Sequence, residues 1–213
     1  MKIYHSTWVR TISLVAKTKK LLSIGVDPGT KNGAIAIVDD CLNIIYLAKA
    51  PYLSENTSKR IKPKLNKETG MYDMAYKQRT WTDYTALRDI FLPYLNNQII
   101  YTVEKVQART GEYESSSFVF GHSLGVYQGQ YSLLNPIAFY TPRPQEWKND
   151  LKLTSDKKES VIQAENLFQC DIKEYLKSGK KDDVAEALLL AFYGLRQYYS
   201  EVKKWQQLKQ KRK

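Results

Sequence analysis

Two mostly apolar runs, Leu22 to Val26 and Ala34 to Val38, flank the short interval Asp27-Pro28-Gly29-Thr30-Lys31-Asn32-Gly33. Runs this apolar predict strands covered on both faces. The interval is short enough for a hairpin: Pro28-Gly29 breaks the first strand, and Asn32-Gly33 is expected to take the φ > 0 geometry of a tight turn. One acid, Asp27, stands at the end of the first strand. A charge at the lip of a buried sheet is costly unless it is paired or bound to metal. On this stretch alone a turn-initiating Asp before Pro-Gly has equal weight.

The whole chain narrows the choice. Its 213 residues suffice for one domain with extensions. Lys and Arg outnumber Asp and Glu 33 to 22, a net charge of +11. Such an excess predicts a polyanionic partner, nucleic acid first and an acidic membrane surface second. No apolar run approaches the ~20 residues of a bilayer span. Cys41 and Cys170 are the only cysteines, which argues against a zinc site or a disulfide framework and for a reducing compartment. The expectation is a soluble intracellular protein of cytoplasm or nucleoid. Residues 1–20 carry Lys2, Arg10, Lys17, Lys19 and Lys20 and no acid. They read as a basic arm, with an organelle transit peptide as the alternative.

Ile44 to Ala48 reads as a third strand, completing an antiparallel meander. Residues 51–80 are polar and include Lys59, Arg60, Lys62, Lys64 and Lys67. A loop of that length is functional or disordered, here a solvated insertion or a DNA-touching one. Trp81 to Leu92 predicts a helix with Tyr84, Leu87 and Phe91 on its apolar face, closed by Pro93. Ile99 to Val103 is the next strand and runs into Glu104. After a polar loop, Phe118 to Leu134 predicts a helix on which Gly121, Gly125 and Gly129 share one face. That row is expected to pack on the chain's own sheet rather than at a dimer contact. Ile137 to Tyr140 is a last strand. Asp156 to Glu159 has the spacing of a capping box for a helix through Phe168. The segment from Lys180 opens a long final helix, and residues 201–213 form a basic tail. The organisation expected is therefore arm 1–20, domain 21–200 with the basic insertion 51–80, and tail 201–213.

Asp27 and Glu104 each end an apolar strand. Asp183 and Glu186 are three apart on the last helix, and Asp182 and Glu186 four apart, so either pair shares a face. Asp182 is also a candidate cap for that helix. Four converging carboxylates suit hard divalent cations, which prefer oxygen ligands. Two such cations about 4 Å apart clamp the attacking and leaving oxygens of a phosphodiester. Charge and pattern together favour a metal-dependent nuclease.

The segments Ile24-Gly25-Val26-Asp27-Pro28-Gly29, Val103-Glu104-Lys105-Val106 and Asp182-Asp183-Val184-Ala185-Glu186-Ala187-Leu188, in this order, resemble the RuvC family of Holliday-junction resolvases, its phage-type and viral members above all. The resemblance runs from about Leu22 to about Tyr193 and includes Thr141-Pro142 and Trp147-Lys148. It implies an α/β, RNase H-like mixed five-stranded sheet flanked by helices. It also implies a homodimer that cuts four-way DNA junctions with two Mg²⁺ or Mn²⁺ per active site. Asp27, Glu104, Asp183 and Glu186 match the family's catalytic, metal-holding acids, with Asp182 as alternate for Asp183. Lys148 and Lys158 match lysines near the scissile phosphate. DNA contacts are implied for Lys31, Lys105, Arg109, Arg143, Lys148, Lys157 and Lys158. This chain departs from the pattern in having Glu186 where Asp is frequent, and Gln107 where relatives carry an aromatic wedge, a place Tyr113 or Phe118 could fill.

Three other readings differ in class. A YqgF-type RNA-processing nuclease shares the Asp-x-Gly-Thr-Lys hairpin but is much shorter. An actin- or sugar-kinase-type ATPase needs a duplicated domain with a second hairpin. A non-cleaving junction-binding module would not need all four acid positions filled.

Overall fold

The computed structural model describes residues 19–29, 31–105, 114–176 and 181–211. The expected arm, apart from Lys19 and Lys20, lies outside them, as do Gln107, Arg109 and Tyr113. The central sheet has five strands in the order β3-β2-β1-β6-β7. They are β1 (Leu21–Asp27), β2 (Ala34–Asp39), β3 (Ile44–Lys49), β6 (Gln98–Val103) and β7 (Ala138–Tyr140). β1 pairs antiparallel with β2, and β2 with β3, as the meander predicts. β6 lies parallel to β1, and β7 parallel to β6.

Side-chain alternation along these strands divides the protein into two layers. Leu22, Ile24 and Val26 of β1, Ile35 and Ile37 of β2, and Ile99, Tyr101 and Val103 of β6 face one side. There they meet Leu87 and Phe91 of α1 (Tyr84–Phe91) and Tyr127 and Leu134 of α2 (Glu114–Leu134). The complementary residues, among them Ala34, Ala36, Val38, Leu47 and Ile100, face α5 (Lys181–Lys211), with α3 (Pro144–Asp150) and α4 (Lys157–Phe168) alongside. α5 sits against the backbone of β1: a Cβ on Gly25 would lie 2.1 Å from the Ala187 carbonyl oxygen. Ser23 also donates a 2.7 Å hydrogen bond to the Ala191 carbonyl. Among the described residues no helix is long and apolar enough to cross a membrane.

Several expectations change. Residues 51–80 are not a loop: β4 (Tyr52–Leu65) and β5 (Tyr72–Thr82) form a separate two-stranded antiparallel ribbon. Trp81 and Thr82 belong to that ribbon, and α1 starts only after Asp83, whose side chain accepts hydrogen bonds from the Thr85 and Ala86 amides. Tyr84 is exposed, not part of the buried stripe. The β1–β2 turn does not need positive φ at Asn32 or Gly33, because among the described residues positive φ is confined to Leu42, Gly70, Asn135, Lys152 and Gln169. Gly33 is required by crowding instead, since a Cβ there would lie 2.1 Å from the Gly29 carbonyl oxygen.

The glycine row of α2 does not pack on the sheet: a Cβ on Gly121, Gly125 or Gly129 would meet nothing within 4 Å. The buried face is carried by Ser123 and Tyr127. Two residues correspond to about 200° of helix, so the glycines fall opposite. The capping box at α4 closes differently too. Asp156 caps through the Lys158 amide, while the Glu159 carboxylate reaches the Thr154 amide and hydroxyl. The basic segment after Ser200 continues α5 through Lys211.

Candidate metal centre

The alternation that builds the two layers also assembles the acids. Counting by two from Ser23 and Gly25 puts Asp27 on the α5 side of β1, and counting from Ile100 and Thr102 puts Glu104 on the same side just past β6. Val26 pairs with Val103, so the two acids leave neighbouring strands together, and the Glu104 amide donates to the Val26 carbonyl at 3.0 Å. The first turns of α5 deliver Asp183 and Glu186, buried at 6% and 7% exposure. All four carboxylates interact electrostatically at this end of the sheet. Burial first, then the charges of Glu104, Glu186 and Asp183, push the Asp27 carboxyl well above the ordinary carboxylate range. Burial raises Glu104 as well, against a lowering hydrogen bond from Trp147.

Three ammonium groups balance this charge. Lys148 binds Glu186 at 2.7 Å. Lys157 binds Asp182 at 2.7 Å and reaches Asp183 at 3.5 Å. Partial burial works against the charged form of Lys157, but the Asp182 carboxylate overrides it and holds this lysine above its usual value. Lys49 pairs with Asp183. Trp147 is fully buried in α3, and its indole N–H donates to Glu104 Oε1 at 2.8 Å. The Lys148 ammonium lies 5.1 Å from the centre of that indole.

Lys49 and the Trp147 hydrogen bond are the features that sequence reasoning missed. The third strand was expected to end at Ala48, one residue short. Its signal was the register: Asp27 pairs with Ala34, and Ala34 with Lys49, so acid and lysine lie in one row across three strands. Of the two adjacent α4 lysines, Lys157 is the one that reaches the acids, and Lys158 is exposed. Lys31, Lys105 and Arg143 are exposed around this end of the sheet. Asp182 does not precede α5 as a cap but lies in its first turn.

The donor set fits hard divalent cations: four carboxylate side chains from three chain segments, the end of β1, the residue after β6 and the first turns of α5. The acids do not form a single tight cluster: Glu186 is paired with Lys148, Asp183 with Lys49 and Lys157, and Glu104 with the Trp147 indole. Among the described residues the closest group of ligand atoms, within 4.8 Å, is instead Asp39, Asp40 and Cys41. That group is a turn device. Asp39 accepts from the Cys41 and Asn43 amides and from the Asn43 side chain, closing the β2–β3 turn.

The sheet order, with an antiparallel meander followed by two parallel strands, decides the architecture. The fold is RNase H-like. No family model matches the chain, and no curated protein matches it. Among solved structures it is similar to Thermus thermophilus RuvC in complex with Holliday junction substrate, at 12% identity over 85% of this chain and 96% of that one, TM-score 0.49. A second structure of that RuvC gives the same identity and coverage with TM-score 0.45. The yeast mitochondrial Holliday junction resolvase Ydc2 follows at 14% identity over 88% of this chain and 85% of that one, TM-score 0.38.

Proposed function

We propose that this protein is a metal-dependent endonuclease resolving four-way DNA junctions, acting as a homodimer. The observation that carries the reading is the meeting of Asp27, Glu104, Asp183 and Glu186 at one end of the sheet, in a chain of net charge +11. Those four side chains would hold two Mg²⁺ or Mn²⁺. When bound, such ions supply Lewis acidity at the attacking and leaving oxygens of the phosphodiester. The protein's part is positioning and charge. Trp147 fixes the rotamer of Glu104. Lys148 and Lys157 already sit at the acids, where their ammonium groups would also meet a phosphate held at the centre. Exposed Lys31, Lys105 and Arg143 supply the electrostatic hold on the backbone. Support for the homodimer comes from α2, whose open glycine face allows a second helix to approach closely. Phe118, 67% exposed beside Trp81 near the start of that helix, takes the role of junction wedge.

The test is cleavage of a labelled four-way junction with and without Mg²⁺, in competition with flap, linear duplex and RNA. Paired nicks in opposed strands, dependent on metal, are expected. Preferential RNA cleavage would move the protein to the RNA-processing branch of the fold, and binding without cleavage in any metal would leave a junction-binding module.

A further inference from the structure

The β4–β5 ribbon is unexplained by the fold. It pairs from Tyr52↔Thr82 at the root to Leu65↔Tyr72 at the far end, outside the main sheet. A lone two-stranded hairpin is marginal in water, and its packing partner here is α2, at its base. The far end is nevertheless a built turn. The Asn66 side chain accepts from the Glu68 and Thr69 amides, and Gly70, at φ 68°, returns its amide to the Asn66 carbonyl. Met71 at this tip is 69% exposed.

The root is tied to the acid cluster. Lys49, which holds Asp183, is three residues before β4 begins. At the other strand's end the Thr82 hydroxyl meets Ser123 Oγ at 2.8 Å, and Ser123 donates to the Pro28 carbonyl at 3.0 Å. Ser123 has one hydroxyl proton and Pro28 takes it, so Thr82 is the donor. The chain Thr82–Ser123–Pro28 ends one residue from Asp27. Trp81 adds an aromatic anchor, edge-on to Phe118 and His122, with the Arg79 guanidinium 5.6 Å from its ring centre. The ribbon therefore rises from the lip of the candidate centre.

Residues 52–82 hold seven basic residues against three acidic ones. A two-stranded ribbon has the width to enter a DNA major groove. With 14 residues in β4, less twist and bulges, the ribbon reaches about 40 Å, or roughly twelve base pairs at ~3.4 Å each.

We propose that the β4–β5 ribbon is a second DNA-binding element, separate from the acid cluster, that lies along one duplex arm of the substrate. It rests on the nucleic-acid reading above but adds a site, a ligand (duplex DNA) and a reach.

Two variants test it. One carries Lys59→Gln, Arg60→Gln, Lys62→Gln and Lys64→Gln together. The other replaces residues 56–78 with Asn-Gly, a two-residue turn joining the paired Glu55 and Arg79. Binding is measured in EDTA to junctions with arms of 8 and 20 base pairs and to a linear duplex, across a salt series, with circular dichroism and sedimentation on each protein. For the glutamine variant, the slope of log K against log salt is expected to fall by about two to four, since each lost phosphate contact removes about 0.9. Both variants are expected to lose the affinity that the wild type gains from longer arms. Folded variants with wild-type slope and arm-length dependence overturn the proposal and leave the lysines as guards against edge-to-edge pairing. Variants that lose the dimer but keep the slope also overturn it, assigning the ribbon to the protein interface. A wild type that binds no DNA defeats both readings. A wild type that binds DNA but cuts no junction defeats the proposed function alone, and the slope comparison still decides the ribbon.

Discussion

Glycine sits on both sides of the central sheet for opposite reasons. On the α5 side, Gly25 lets the helix lie on β1, and a methyl group there would strike the backbone of Ala187 and Ala191 at 2.1 and 2.3 Å. On the other side, the α2 glycines would tolerate a methyl group with nothing within 4 Å. Glycine weakens a helix by about 1 kcal/mol relative to Ala. The α5 side recovers its cost inside the chain, through tight packing that delivers Asp183 and Glu186 to Asp27 and Glu104. On the α2 side the three glycines meet nothing among the described residues, and the proposed homodimer would place a second copy against that face. The proposed function thus gives one face to chemistry and the other to assembly.

Substitutions can break this contrast in order of expected size. The largest effect belongs to the acids. Asp27→Asn and Asp183→Asn should each slow junction cleavage by at least about a thousandfold, ~4 kcal/mol in barrier, with junction binding retained. Asp182→Asn should stay within about tenfold, because its carboxylate pairs with Lys157. A Mg²⁺-titrated cleavage assay ranks them, and the reverse ranking of Asp182 and Asp183 would break the assignment.

Next comes Gly25→Ala. Overpacking of a close backbone contact costs about 1–3 kcal/mol or more, so urea midpoints should fall well below wild type and cleavage should fall with them. A variant as stable as wild type would mean that α5 can move off the sheet.

The Lys49–Asp183 pair gives a two-sided effect. Lys49→Met removes the nearer of two ammonium groups at the buried Asp183 carboxylate, Lys157 at 3.5 Å remaining; this should destabilise the metal-free protein by less than the about 3 kcal/mol of a fully buried, unpaired charge, the more so because Lys49 keeps 24% side-chain exposure. With one competing ammonium fewer, Mn²⁺ should bind about tenfold more tightly and restore the melting temperature. Calorimetric titration and thermal melts read both quantities.

The raised carboxyls of Asp27 and Glu104 set the pH response. The folded chain keeps protons that the unfolded chain has released, so metal-free stability should decline as pH rises from about 4, the unfolded carboxylate range, through the raised folded values. Asp27→Asn should flatten that decline, and urea midpoints between pH 4 and pH 8 would reveal it. A metal-free protein that gains stability over this range would show that the acids do not crowd one another.

The smallest effect sharpens the assembly side. Gly125→Ala should stabilise an isolated chain by up to about 1 kcal/mol yet weaken self-association, read by sedimentation equilibrium. A gain in stability with association unchanged would leave the glycine face without a partner.

Much of this was legible in the sequence because its signals are local. Apolar runs marked β1, β2, β3 and β6 and put Asp27 and Glu104 at strand ends; that the two acids share a face depends on the β1–β6 register, with Val26 opposite Val103. The i, i+3 spacing joined Asp183 to Glu186. What local pattern cannot carry was decided by tertiary structure. Residues 52–82 are polar and lack clean alternation, so the ribbon has no hydrophobic period to read. The outward direction of the α2 glycines followed from Ser123 and Tyr127 claiming the sheet, a competition between two faces of similar hydrophobicity. Lys49 was invisible for a related reason. A lysine ending a strand is ordinarily solvated, and only the cross-strand row Asp27–Ala34–Lys49, with α5 folded over it, turns that lysine into the partner of Asp183. Charge and periodicity belong to the sequence; which charge meets which depends on how the layers close.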